Sequence, residues 1–215
     1  MSDAMLSEQT PVGAGGDQVS SVRVRLLDAM AACLLDRGFR ETTVADIVRV
    51  ARTSRRTFYQ EFPDKVACFF ALLRMSNDAM MEGIAAGVDP DADATVQIRQ
   101  AVTAYVVASE QHPEITWSWI RELPALGEPA RELRLGMMEK FIALLVALTD
   151  TPQMRSAGTT PVSRATAVMI WGGIRELTAD AVERGAPLHT IVEPATQACV
   201  ALVGANICTP PTDAR

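Results

Sequence analysis

The sequence is poor in the residues that metal chemistry, redox chemistry and membranes require. Two histidines, His112 and His189, and four cysteines, Cys33, Cys68, Cys199 and Cys208, are scattered over 215 residues. No Cys-x-x-Cys pair occurs, so a zinc site lacks a ligand set, and each cysteine reads as a small buried hydrophobe without a redox role. The longest unbroken apolar run, Phe141 to Leu148, is far too short to cross a bilayer. The polar opening, Met1 to Gly16, has no basic stretch followed by an apolar one, so it does not read as a signal peptide. A cytoplasmic protein with no membrane partner is expected.

Catalytic signals are missing as well. The chain has no Gly-x-Ser-x-Gly, no Walker loop, no dinucleotide glycine pattern and no His-Glu-x-x-His, and so no cofactor is expected. Asp89-Pro-Asp91-Ala-Asp93 opens like a calcium loop but carries Ala94 at its sixth position and Gln100 at its twelfth, where such a loop needs glycine and glutamate. It reads as a solvated turn. Neither histidine has an evident acid-base partner, which disfavours an enzyme.

What is present is helix. Apolar residues make up 48% of the chain and charged residues 21%, enough to bury a core in one body or two coupled ones. Strand patterns are nearly absent while apolar residues recur at helical spacing, so the fold class is all-α. Charge is unevenly placed. Residues 21–75 carry ten Lys and Arg against six Asp and Glu, whereas residues 76–215 carry ten against seventeen. A basic module on an acidic body is one form a nucleic-acid reader takes.

Within the basic segment, a first helix is expected over about 21–37, stopped by Gly38 and followed by apolar Phe39. Thr42 or Thr43 can cap a second helix with the stripe Val44, Ile47, Val48, Ala51. Ser54 can cap a third, with Phe58 and Phe62 inward at i, i+4, ended by Pro63. Asp64 can cap a fourth, running toward Ile84. Two short helices joined by a tight turn are the parts of a helix-turn-helix DNA reader. With Phe58 and Phe62 inward, Arg55, Arg56, Thr57, Tyr59 and Gln60 are left to face a major groove. There arginine can fork onto guanine, glutamine onto adenine, threonine can meet a thymine methyl, and tyrosine can reach a phosphate. Thr43 and Lys65, at the starts of the second and fourth helices, are expected to anchor the backbone of double-stranded DNA. Arg23 and Arg25 could touch a phosphate or simply be solvated.

The run from Thr42 to Lys65, with its hydroxyl pair, Ile47, Ala51, Ser54, Thr57, Phe58, Tyr59 and Phe62 in register, and with Gly38-Phe39 just before it, resembles the DNA-binding signature of the TetR family of transcriptional regulators. The resemblance covers about a quarter of the chain. It implies a homodimer of nine-helix subunits, with a divergent C-terminal part that binds a small molecule and a dimer interface on the last two helices. One departure stands out: Ala51-Arg52 occupies the turn where the family usually has Ala-Gly. A non-glycine residue there in a left-handed conformation costs about 1–2 kcal/mol. Either the turn is built differently or Arg52 contacts DNA. The expected DNA-facing set is thus Thr43, Arg52, Ser54, Arg55, Arg56, Thr57, Tyr59, Gln60 and Lys65.

The domain reading is a mobile arm at 1–20, a helix-turn-helix domain at 21–66, a helical effector-binding and dimerisation domain at 67–205, and a frayed tail at 206–215. Longer helices are expected at about 95–111, 114–123, 129–149, 162–184 and 189–205. The last two are apolar on more than one side, as a helix covered both by its own core and by a partner must be. Tyr105, Trp117, Trp119, Met137, Phe141 and Trp171 are the candidate lining of a cavity for a small apolar or aromatic effector. The function expected is a ligand-responsive repressor. An activator or architectural DNA binder without an effector shares the same first seventy-five residues.

Overall fold

The computed structural model describes residues 14–204, with side chains from residue 22. Cys208, the expected tail and most of the expected arm lie outside the described residues. From Ala14 the chain is already helical, so the first helix starts about two turns earlier than its apolar stripe indicates.

Helix α1 (Ala14–Glu41) is broken by a kink at Gly38, which adopts φ 75°. Only glycine takes that conformation without strain, so the helix direction changes where the sequence placed its stop. Thr43, and not Thr42, caps α2 (Val44–Val50). Its hydroxyl accepts the Asp46 N–H at 3.2 Å while its own N–H donates to the Asp46 carboxylate at 3.1 Å, a reciprocal capping box. Thr42 turns inward instead, and its hydroxyl donates to the Gly38 carbonyl at 2.7 Å. Helix α3 (Arg55–Glu61) starts at Ser54, whose hydroxyl accepts the Thr57 N–H at 3.1 Å. Asp64 caps α4 (Lys65–Ala86) through the Ala67 N–H at 2.7 Å.

The body follows as α5 (Ala94–Gln111), α6 (Pro113–Trp117), a π-helical turn (Ser118–Glu122), α7 (Leu123–Ala125), α8 (Glu128–Thr149), α9 (Pro152–Ser156), α10 (Arg164–Glu183), a 3₁₀ turn (Leu188–Ile191) and α11 (Val192–Gly204). No strand occurs among the described residues. The helix expected at 114–123 is therefore three pieces. Pro124 has no N–H to offer the Ile120 carbonyl, and its ring crowds that carbonyl. The preceding turn widens accordingly, with the Leu123 N–H donating to the Ser118 carbonyl five residues back. Helix α9 had no expectation, because five residues are too few to show a stripe.

Two apolar cores fill the molecule. The first joins Leu26, Met30, Ile47, Phe58 and Phe69 to Leu123, Leu133 and Met137 of the body. The second gathers Ile84, Tyr105, Phe141, Ile170, Ile174 and Val203. Helix α4 runs through both, so a boundary at 66/67 falls within its first turn. Cys33, Cys68 and Cys199 are buried free thiols, and burial pushes Cys68 up to about 12 and Cys199 to about 11. Thiols so raised do not form thiolates near neutrality.

Phe58 is 0% exposed and is the one fully buried side chain that α3 sends into the core. Phe58→Ala is expected to cost about 3–5 kcal/mol, read as a lowered urea midpoint.

Candidate nucleic-acid interface and its link to a cavity

Helix α3 presents a polar face of the kind expected. Ser54, Arg55, Arg56, Tyr59 and Gln60 are exposed, Tyr59 by 56%, while Thr57 is half-buried and shares a 2.8 Å hydrogen bond with Ser54. Tyr59 stands edge-on to Phe58, ring centroids 5.4 Å apart. None of the exposed arginines, Arg52, Arg55 and Arg56, has an ion pair or hydrogen bond among the described residues. They are free cations at and just before the start of α3.

Arg52 adopts φ 50°, the one positive φ of a non-glycine residue among the described residues. The turn is thus built in the left-handed way, at the site where glycine would be unstrained. Its geometry leaves the guanidinium in solvent beside the start of α3.

Two cations expected near phosphates have structural partners. Lys65 is half-buried, and its ammonium donates to the carbonyls of Phe39 at 2.7 Å, Thr42 at 2.7 Å and Arg40 at 3.3 Å. All three N–H groups are engaged, which leaves none for DNA in this arrangement. Burial pushes its pKa below the ordinary lysine value, opposed by the carboxylates of Glu122 and Glu41. Arg23 reaches the other end of the unit. It donates to the Glu61 carbonyl at 3.1 Å and lies 4.3 Å over the Phe62 ring, so a cation sits on the negative end of α3. Thr43 is exposed, with its hydroxyl engaged by Asp46. Those Thr43 hydrogen bonds, more than the nearby Arg37 and Arg49, hold the Asp46 carboxyl below its usual pKa.

Phe39 is where the unit meets the body. Its N–H donates to Glu122 at 2.6 Å, its carbonyl accepts from Lys65, its ring lies 4.3 Å beneath the Lys65 ammonium, and it stacks 4.3 Å from Phe69. The other oxygen of Glu122 accepts the Ser118 hydroxyl at 2.6 Å, so both carboxylate oxygens are engaged. Sequence reasoning did not find Glu122. It lies 83 residues from Phe39, and no local pattern marks it.

The same π-helical turn borders a cavity of about 590 Å³, walled by Trp119 and Ile120 from the turn, Leu72 and Asn77 from α4, Tyr105 from α5, and Trp171 and Arg175 from α10. A narrower, almost wholly apolar space of about 50 Å³ lies beyond Tyr105 and takes Phe141, Leu145 and Ile174 into its wall. Phe141 and Trp171 pack 4.5 Å apart, one facing each space. The Tyr105 hydroxyl bonds to Thr178 at 3.0 Å. Burial raises its pKa, and Thr178 and the nearby Arg175 charge oppose the rise. Of the six residues expected at a ligand, Tyr105, Trp119, Phe141 and Trp171 line one of these spaces. Trp117 and Met137 line neither. Trp117, just before the π-helical turn, is 42% exposed, and Met137 is buried in the first core.

The fold and site define a helix-turn-helix unit carried on an all-helical, cavity-bearing body. Residues 26–72 match the family model described as bacterial regulatory proteins, tetR family, and the chain has the TetR-family transcriptional regulator fold. Solved structures share that fold across nearly their whole length. The fatty acid degradation regulator FadR from Bacillus halodurans aligns with a TM-score of 0.72 at 16% identity, over 84% of this chain and 98% of that one. FadR from Bacillus subtilis, solved in complex with stearoyl-CoA, gives 0.71 at 16% identity, over 84% and 97%. A regulatory protein TetR from Rhodobacter sphaeroides gives 0.65 at 18% identity, over 82% and 97%. A search of curated proteins finds no match. No metal-binding cluster of His, Cys, Asp and Glu occurs among the described residues, and none of their helices is long and apolar enough to cross a membrane.

Two substitutions separate the roles of these cations. Lys65→Met leaves three carbonyls without their donor and is expected to lower stability by about 1–3 kcal/mol in urea, whereas Arg55→Ala should stay within about 0.5 kcal/mol. Arg52→Gly relieves the left-handed strain, so its melting temperature should equal or exceed that of the parent, while its affinity for DNA falls.

Proposed function

We propose that this chain is a ligand-responsive transcriptional repressor that works in the cytoplasm as a homodimer and leaves a near-palindromic operator when a small apolar or aromatic effector binds. The observation that carries the reading is the double use of one π-helical turn. Trp119 and Ile120 wall the wide cavity, and Glu122, two residues on, holds the Phe39 N–H. A ligand that moves the wall moves the strut, and through Phe39 and Lys65 the strut sets the pose of α2 and α3.

Thr43, Arg52, Ser54, Arg55, Arg56, Thr57, Tyr59 and Gln60 form the DNA-facing set in this reading, with Lys65 acting through the α1 end that it clamps. Helix α10 exposes Val168, Met169 and Gly172, and α11 exposes Ala198 and Ala201. This apolar, small-residue face suits a second copy of the chain. Two copies would set their α3 helices about 34–36 Å apart, one turn of DNA. The effector is held best by the conformation whose spacing does not match that turn, and the population shifts by its differential affinity. The stearoyl-CoA complex of the Bacillus subtilis relative supports an apolar ligand class.

Footprinting on DNA flanking the coding gene, with and without a panel of apolar compounds, tests this. Two protected half-sites are expected, lost when the right compound is added, with affinity falling steeply as salt rises. Arg55→Ala should relax base preference at one position by about 1–3 kcal/mol. Glu122→Ala should still protect the site and bind the compound but fail to release. Protection that no compound alters points to an activator or architectural binder, and absence of any protected site sinks the DNA reading itself.

A further inference from the structure

We infer that the wide cavity takes an ionised carboxylic acid with an apolar body, its carboxylate received by the Arg175 guanidinium and the Asn77 amide. The inference rests on that cavity being the effector site proposed above and narrows the chemistry of what it takes.

Most arginines of the body already have an anionic partner. Arg99, Arg121, Arg131, Arg155, Arg164 and Arg184 of the body are each paired with an aspartate or glutamate. Arg175 lines the cavity half-buried and has no ion pair or hydrogen bond among the described residues. A guanidinium in a partly desolvated site without an anion is costly. Asn77, from the facing α4, is 4% exposed and its amide nitrogen has no partner. An unmet buried amide carries a penalty of its own, and rotation about its last side-chain torsion, which is soft, can present the N–H₂ to an acceptor.

The other buried polar side chains of the wall are committed. The hydroxyls of Ser109 and Thr116 donate to backbone carbonyls, and Tyr105 pairs with Thr178. The single carboxylate among the lining residues, Asp28, is exposed on α1. The cavity therefore offers one unpaired cation and one buried, unpaired amide to a ligand's polar end, with Trp119, Trp171, Leu72 and Ile120 for the rest; of its other polar residues Gln111 and His112 are exposed and Ser76 is half-buried. A planar carboxylate accepts the forked N–H groups of arginine at two oxygens, and such charge-assisted bonds are stronger than those to a neutral group. An alcohol or hydrocarbon of the same shape leaves the cation unmet.

Binding is measured on the whole protein without DNA, by tryptophan fluorescence and calorimetry. Two acids, decanoate and 2-naphthoate, are set against their neutral counterparts, decanol and 2-naphthol. At least one acid should bind about tenfold more tightly than its counterpart. Arg175→Met should abolish that preference while leaving the neutral compound within about threefold, Arg175→Lys should retain part of it, and Asn77→Leu should weaken the acid more than the neutral compound. Unchanged melting temperatures check that the variants fold. Equal binding of acid and neutral compound, binding of neither, or an acid preference that survives Arg175→Met overturns the proposal. So does decanoyl-CoA binding more tightly than decanoate and insensitive to Arg175→Met. The two readings fail separately: an Arg175-dependent acid that leaves the DNA footprint unchanged supports the carboxylate site and removes the effector role, whereas release from DNA by a neutral compound alone does the reverse.

Discussion

Both backbone groups of Phe39 are held by charged side chains from different parts of the molecule. Its N–H goes to the Glu122 carboxylate and its carbonyl to the Lys65 ammonium. The Gly38 kink makes this necessary. It interrupts the helical ladder just where α1 hands over to α2, leaving donors and acceptors that must find partners elsewhere. Glu122 and Lys65 meet that need from the body and from α4. The pose of the helix-turn-helix unit follows from them, since α2 begins at Val44, two residues after Thr42, the last of the three carbonyl partners of Lys65. The fit is close: a Cβ on Gly38 would stand 3.1 Å from the Glu122 carboxylate oxygen.

That arrangement gives the body a direct hold on α2 and α3. The two apolar cores are joined by α4, so neither half can reorient alone without disturbing side chains packed in the other. Phe58 keeps α3 in the first core, and Arg23 fixes its C-terminal end, so the short helix moves as part of a unit. The wide cavity lies beside the π-helical turn that bears Glu122, and that turn exists because Pro124 cannot supply a helical hydrogen bond. A local defect in a helix thus lies between the space where a ligand fits and the contact that holds the N-terminal unit.

The charge pattern separates into two uses. Cations on the N-terminal unit either clamp helix ends, as Lys65 and Arg23 do, or stand free in solvent, as Arg52, Arg55 and Arg56 do. Residue type alone does not divide these groups. The division comes from whether an unsatisfied carbonyl lies within reach, and reach is set by how α1, α3 and α4 cross. The left-handed Arg52 belongs with the free group and carries strain that glycine would remove. A strained residue kept in an exposed turn is more often tied to function than to packing.

The helices, their caps and the outward face of α3 were legible from residues alone. Each depends on neighbours no more than four positions apart: the Thr43–Asp46 box, the Ser54 cap, the Phe58 and Phe62 spacing, and the glycine at the kink. Physical causes that short in range leave their mark in the order of residues. The cavity wall, the Glu122 strut and the engagement of Lys65 were decided only by tertiary structure. They join groups tens of residues apart whose meeting depends on how every helix packs on every other, and for the same reason Trp117 and Met137, plausible wall residues by type, ended outside it, while Asn77 and Arg175, unremarked in the sequence, came to face one cavity.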